Sequence, residues 1–290
     1  MQTSEEDIKN NIDDIFKIFK NFDQFVGNKE QIEELKETHF KILNAMFSSP
    51  FHAKLQYITE VTKGDKVALP LYMMVTSKGS NNGKTFMIET ILKLMSGKEL
   101  VGENANGFGV KDMALVQANY KGIPFFVDEV GAKFAKEKSS LLKNDKLYLN
   151  DNFESTPMLV FATNEVNSLE IPYRKRMLFF ELKSALPSDI DKAAFGSQGK
   201  AIIKKITNAF YKEYLKRMLP IVNDEIEFHY SKNKPEDYYT DILAKSSEVI
   251  ISILKDYGYE IPGYIKPLTW YDDYRYDRKD KDIIRKLKNS

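Results

Sequence analysis

Cysteine is absent from the 290 residues. That excludes a disulfide framework, a thiol nucleophile and any thiolate-bound zinc or iron–sulfur cluster. Histidine occurs only at His39, His52 and His229, too scattered for a multi-histidine metal site. No apolar run approaches the roughly 18 residues that a membrane helix needs. The acidic start, Met1-Gln2-Thr3-Ser4-Glu5-Glu6-Asp7, lacks the apolar stretch of a secretion signal. The expectation is a cytoplasmic protein with no membrane contact. Net charge is missing too. The 43 basic and 42 acidic residues leave +1, so no global field draws the chain to nucleic acid or anionic lipid, and any polyanion site must be a local patch. What remains is 42% apolar and 29% charged, an ordinary globular balance. A chain of this length buries roughly 70–75% of its unfolded surface and needs no covalent staple.

The first sixty or so residues carry helical periodicity. Ile8, Ile12, Ile15, Phe16 and Phe19 fall on one face, with Thr3 and Glu6 spaced as a capping box ahead of them. Ile32, Leu35, His39, Ile42, Leu43 and Met46 form a second stripe, and His39 within it reads as a core histidine. Ser49-Pro50 reads as the cap and first residue of a third helix that ends near Lys63-Gly64. From about residue 69 the texture changes. Short apolar runs at 69–75, 123–127, 158–163 and 177–182 alternate with helical stretches at 85–95 and 112–119, with Gly97 as a helix C-terminal cap. Strands of this kind alternating with helices predict an α/β fold with a parallel sheet covered on both faces. After Pro187 the pattern is helical again, over about 200–218 and 236–256. The chain therefore divides into an N-terminal helical region (1–64), an α/β core (65–186), a helical subdomain (187–258) and a basic, aromatic tail (259–290).

Ser77-Lys78-Gly79-Ser80-Asn81-Asn82-Gly83-Lys84-Thr85 joins the first strand to the helix behind it. A glycine-rich loop there turns successive backbone N–H groups toward one point, and the helix dipole adds positive potential. Phosphate is the natural occupant. Lys84 would reach the outer phosphates and the Thr85 hydroxyl would ligate Mg²⁺, as in the Walker A pattern G-x-x-x-x-G-K-[ST]. One departure stands out: Lys78 occupies the place of the first glycine, with Gly79 next to it. The run from Gly122 to Val127 then ends in Asp128-Glu129, 44 residues after Lys84. A parallel strand ejects such side chains at its C-terminal edge, where ligands bind. Asp128 can hold Mg²⁺ through water and Glu129 can act as general base on an attacking water. The next strand delivers Asn164 to the same edge, and Arg174 and Arg176 precede the last strand. An arginine so placed can enter a neighbouring subunit's site as a finger.

Taken in order, Gly83-Lys84-Thr85, Asp128-Glu129, Asn164 and Arg174/Arg176 resemble the ATPase core of the AAA+ class, most closely superfamily 3 helicases and the poxvirus- and phage-type primase-helicase motors. The resemblance covers about residues 65–185. It implies a P-loop NTPase three-layer sandwich with a five-stranded parallel sheet, ATP and Mg²⁺ as cofactors, and catalytic roles for Lys84, Glu129, Asn164 and one of the two arginines. It also implies ring-shaped homo-oligomers, commonly hexamers, that thread a polymer, and a primase or nuclease module fused or in partnership.

Between the acidic pair and the Asn164 strand, residues 130–150 hold five basic residues, including Lys133, Lys136 and Lys138, against two acidic ones. In the resembled helicases this insert is a pore hairpin that grips the nucleic-acid backbone, a contact that weakens with salt. The stretch 264–290 has eight basic and five acidic residues among Tyr264, Trp270, Tyr271, Tyr274 and Tyr276. It can stack bases or begin a further domain. The leading reading is an ATP-driven motor on single-stranded or forked DNA, acting in replication or in a mobile element. A second is an AAA+ remodeller or switch that works on protein partners in a phage or anti-phage system. A small-molecule kinase is disfavoured, since it needs a lid and an acceptor pocket.

Overall fold

The computed structural model describes residues 3–63, 69–79, 81–131, 156–164, 177–231 and 241–269. Three helices come first: α1 (Glu5–Asn21), α2 (Lys29–Ser48) and α3 (His52–Lys63). The α1 cap falls one residue later than the sequence spacing suggests. Ser4, not Thr3, takes the Asp7 N–H, which places three acidic residues in the first turn against the positive helix end. The Ser49-Pro50 start also shifts, since Ser49–Phe51 forms a 3₁₀ turn and α3 opens at His52.

Five strands follow, with helices between them: β1 (Tyr72–Ser77), α4 (Lys84–Ser96), β2 (Glu103–Asn104), α5 (Val110–Asn119), β3 (Phe125–Asp128), β4 (Leu159–Thr163) and β5 (Met177–Leu182). They form one parallel sheet in the order β2-β3-β4-β1-β5. The alternation of side chains along each strand divides the core. Met73, Val75, Val160, Ala162, Leu178 and Phe180 pack on one face with α1, α2, α4 and the later helices. Tyr72, Met74, Leu159, Phe161 and Met177 pack on the other with Met113 and Val116 of α5. Both faces are covered, so the strands read as unbroken apolar runs.

Three more helices complete the described chain: α6 (Lys192–Lys205), α7 (Ala209–Tyr230) and α8 (Ile242–Asp256). The single helix expected over 200–218 is two. Ile206 leaves the helical conformation and Thr207 and Asn208 make the break, with Asn11 of α1 accepting from the Thr207 hydroxyl at 3.1 Å. Beyond α8 the chain crosses back over α1 and α2. Tyr264 stacks on Phe19 with ring centroids 5.1 Å apart, and Leu268 is fully buried. Tyr264 is therefore a core residue and does not present its ring for base stacking, as the tail's composition had suggested; Trp270, Tyr271, Tyr274 and Tyr276 lie outside the described residues. Among the described residues no helix is long and apolar enough to cross a membrane.

Candidate functional site

The turn from β1 into α4 repeats one backbone device. Gly79, Asn81 and Gly83 have φ of 93°, 64° and 79°. A left-handed residue beside a right-handed one turns successive N–H groups toward a common concavity, a nest for an anion. The concavity sits at the positive end of α4. Glycine accepts this backbone freely, and asparagine is the non-glycine residue that tolerates it best. The departure at Lys78 is thereby resolved, because the left-handed turn falls on Gly79. Ser80 lies outside the described residues.

Main-chain and side-chain ties hold the loop against the segment that follows β5. Asn82 Nδ2 donates to the Ser184 carbonyl at 2.8 Å, and the Leu186 N–H donates to the Asn81 carbonyl at 3.0 Å. Beyond the loop, Lys84 is buried and reaches back over the sheet edge. Its ammonium donates to Ser77 Oγ and, at 2.7 Å, to Asn164 Oδ1. Burial pushes the Lys84 pKa down to about 8, with the Asp128 carboxylate opposing the shift. Asn164 can take this place because β4 is inserted between β1 and β3.

At the end of β3, Asp128 Oδ2 accepts from the Thr85 hydroxyl at 2.7 Å. A hydroxyl and a carboxylate side by side are hard oxygen donors of the kind Mg²⁺ takes while retaining several waters. The donor set fits that ion. Glu129 has φ of 58°, a left-handed conformation that costs a non-glycine residue on the order of 1–3 kcal/mol and gathers at functional sites. Its N–H donates to Asp128 Oδ1 at 2.8 Å, and its Oε2 accepts from Asn104 Nδ2 at 2.9 Å.

These groups share a cavity of about 350 Å³, within the range of small-ligand sites. One end is the loop with Asp128, Glu129 and Asn164. The other is apolar, walled by Ile18, Phe22, Phe25, Phe86, Leu186 and Phe195. Phe25 and Phe195 meet edge to face at 6.1 Å. Gly196 and Gly199 of α6 also line the space. A Cβ at Gly199 would stand 2.6 Å from Phe86 Cε2, so only glycine lets the helix come this close. The arrangement suits a molecule with an anionic tail and a flat apolar head.

The structure thus gathers Gly79, Asn81, Asn82, Gly83, Lys84, Thr85, Asp128, Glu129 and Asn164 at one sheet edge. Arg174, Arg176, Lys133, Lys136 and Lys138 lie outside the described residues. Sequence reasoning missed Ser77, Asn104 and the aromatic wall. Asn104 belongs to a two-residue strand with no periodicity to betray it, and Phe22 and Phe25 follow α1, remote in sequence from every other site residue. The pair Gly196 and Gly199, three apart in a helix, is the one trace of the wall in the sequence.

A family model for the Aq_aa27 P-loop NTPase domain matches residues 1–167, more than half of the chain and inclusive of the N-terminal helices. The chain belongs to this P-loop NTPase family. It is an NTPase by that membership, and its α/β sandwich with five parallel strands is the fold the membership requires. Among solved structures the NTPase is similar to one titled "SCCmec type IV Cch - active helicase", at 13% identity and a TM-score of 0.41 over 91% of this chain. The NTPase spans 51% of that chain. At that TM-score the likeness says nothing of what this chain does. No curated protein matches it.

Proposed function

We propose that the chain is an ATP-hydrolysing motor of the AAA+ class, built like the superfamily 3 helicases, which assembles as a ring and moves along DNA. The observation that carries the reading is the pair of hydrogen bonds that the Lys84 ammonium donates to Ser77 and Asn164 beside the Thr85–Asp128 pair. A lysine, a metal-type oxygen pair, a second carboxylate and a strand-end amide meet where a triphosphate would lie. An adenine-sized ring then lies against the wall that Phe25 and Phe195 form together, where stacking contributes about 1–3 kcal/mol.

In this reading the loop amides and Lys84 bind and orient the triphosphate, Lys84 giving up its bond to Ser77 in exchange for phosphate oxygens. Thr85 Oγ1 and Asp128 hold Mg²⁺, which when bound neutralises charge on the phosphates. Glu129 takes the proton of the attacking water, and Asn164 orients that water or the γ-phosphate through its amide. Arg174 or Arg176 of a neighbouring subunit supplies positive charge to the transferring group. Lys133, Lys136 and Lys138 contact the phosphates of single-stranded DNA in the ring's pore. The four divisions of the chain, from the N-terminal helices (1–64) to the tail (259–290), are proposed as its working parts.

Steady-state ATP hydrolysis with and without single-stranded DNA tests the motor. DNA raises turnover several-fold at low salt, the gain fades as salt increases, and reversing the charges of Lys133, Lys136 and Lys138 removes it. Hydrolysis that ignores DNA at low salt, in wild type and charge-reversed protein alike, assigns the NTPase to protein remodelling instead.

A further inference from the structure

His39 is fully buried on α2 directly beneath the phosphate loop. Its ring lies flat on Phe22, with centroids 4.4 Å apart and planes 5° from parallel. A Cβ at Gly83 would stand 3.9 Å from His39 Nε2, so this nitrogen faces the 82–83 region of the loop. Burial lowers the His39 pKa to about 3, a hydrogen-bonding contact with the Asn82 main chain opposes that shift, and the Lys84 charge nearby adds to it. The ring is neutral at any working pH, with one N–H to give. In full hydrogen-bond geometry neither ring nitrogen has a partner among the described residues, and nor does Asn82 Oδ1, so the ring's contact with the Asn82 main chain is only part-formed. Buried polar atoms without partners are rare and costly. Two such groups at one loop, with the Asn82 main chain already in reach of the ring, mark a bond that is only part-formed.

The geometry of the peptide unit says which bond. A trans peptide is planar, so fixing its carbonyl fixes the opposite direction for the N–H of the next residue. The loop already uses this once: the Leu186 N–H takes the Asn81 carbonyl and thereby orients the Asn82 N–H away from residue 186. The following peptide, 82–83, has the His39 ring beside it. We propose that His39 is a positioning residue for the phosphate loop, its Nε2–H donating to the Asn82 carbonyl when a triphosphate occupies the loop, so that the Gly83 N–H is held toward the phosphates. The proposal rests on the nucleotide reading above and adds a residue to it that touches neither substrate nor metal. The flat stack on Phe22 keeps the ring from turning, and that stack forms the back of the aromatic wall.

Side-chain isosteres test this. The amide nitrogen of glutamine overlays histidine Nε2, that of asparagine overlays Nδ1, and phenylalanine keeps the stack without any donor. Binding of Mg-ATP and of Mg-tripolyphosphate is measured for wild type, His39→Phe, His39→Gln and His39→Asn, with thermal melts of each nucleotide-free protein. His39→Phe is expected to bind both ligands about tenfold more weakly, the order of one hydrogen bond's net worth, while melting no lower than wild type. His39→Gln recovers most of the affinity and His39→Asn does not. In addition, the ¹⁵N resonance of His39 Nε2 in wild type shifts on adding Mg-tripolyphosphate. Equal binding by wild type and His39→Phe overturns the role of His39 and leaves the nucleotide site intact. So does equal recovery by the glutamine and asparagine variants, or a ¹⁵N resonance that stays put. Failure of wild type to bind either ligand overturns the nucleotide reading first and this proposal with it.

Discussion

Lys84 carries the most chemistry of any side chain here, and its environment sets a pH limit. The free enzyme holds this ammonium buried, with a pKa lowered to about 8, yet a triphosphate wants it charged. Nucleotide affinity is therefore expected to fall as pH rises above about 8. At pH 8.5, binding should take up protons, because the phosphates favour the ammonium again. Calorimetry in buffers of different ionisation enthalpy measures that uptake. Stability runs the other way. Between pH 8 and the ordinary lysine value the unfolded chain keeps a proton that the folded one has lost, so unfolding becomes harder as pH rises through that window. Residue identity made most of this site legible beforehand: Gly83-Lys84-Thr85, Asp128-Glu129 and Asn164 each announce a type of chemistry at a strand end. Backbone strain was not legible. The left-handed conformations of Asn81 and Glu129 follow from how neighbouring elements hold them, and nothing in their local sequence demands them.

At the scale of elements, the apolar stripes of α1 and α2 foretold helices but not what those helices would cover. The second lies against α4 and β5 and the first against α6 and α7, and the turn after α1 sends Phe22 and Phe25 into the cavity. Periodicity sees one helix at a time, so a wall assembled from α1, α6 and the segment after β5 has no signature in any of them. The strands were legible because both faces of the sheet are buried. The exception was β2, whose two exposed residues earn their place through pairing with β3 alone. The wall also makes a prediction. Phe25→Ala should weaken ATP binding by about tenfold, in line with one lost stacking contact, and leave Mg-tripolyphosphate binding unchanged. Equal losses for both ligands, read by competition against a fluorescent nucleotide, would put the base elsewhere.

For the whole molecule, the described segments share one main core. A single cluster runs from Ile8 of α1 through Met73 and Val160 in the sheet to Leu254 and Leu268. The first and last described segments touch: Tyr259 donates to Asp13 Oδ1 at 2.9 Å and Lys266 pairs with Glu37. Such surface pairs add little, so the burial of Tyr264, Ile265 and Leu268 holds this crossing segment down. Leu268 is fully buried and its N–H donates to Ser247 Oγ at 2.9 Å. Leu268→Ala should cost about 2–5 kcal/mol of stability, seen in urea unfolding as a lower midpoint with an unchanged slope. A cost below about 1 kcal/mol would mean that this segment is only loosely attached. The crossing was beyond sequence reading, since tyrosines among mixed charges look alike whether they pack on Phe19 or face solvent.

The account depends on the triphosphate lying between the loop at 79–85 and the end of β3. Titration of Mg-ATP against wild type, Lys84→Ala and Glu129→Gln, with hydrolysis followed in the same samples, tests it most directly. Wild type should bind and turn over, Lys84→Ala should do neither, and Glu129→Gln should bind with near-native affinity while its turnover drops by at least a hundredfold. Undiminished ATP binding by Lys84→Ala, or normal hydrolysis by Glu129→Gln, would contradict it.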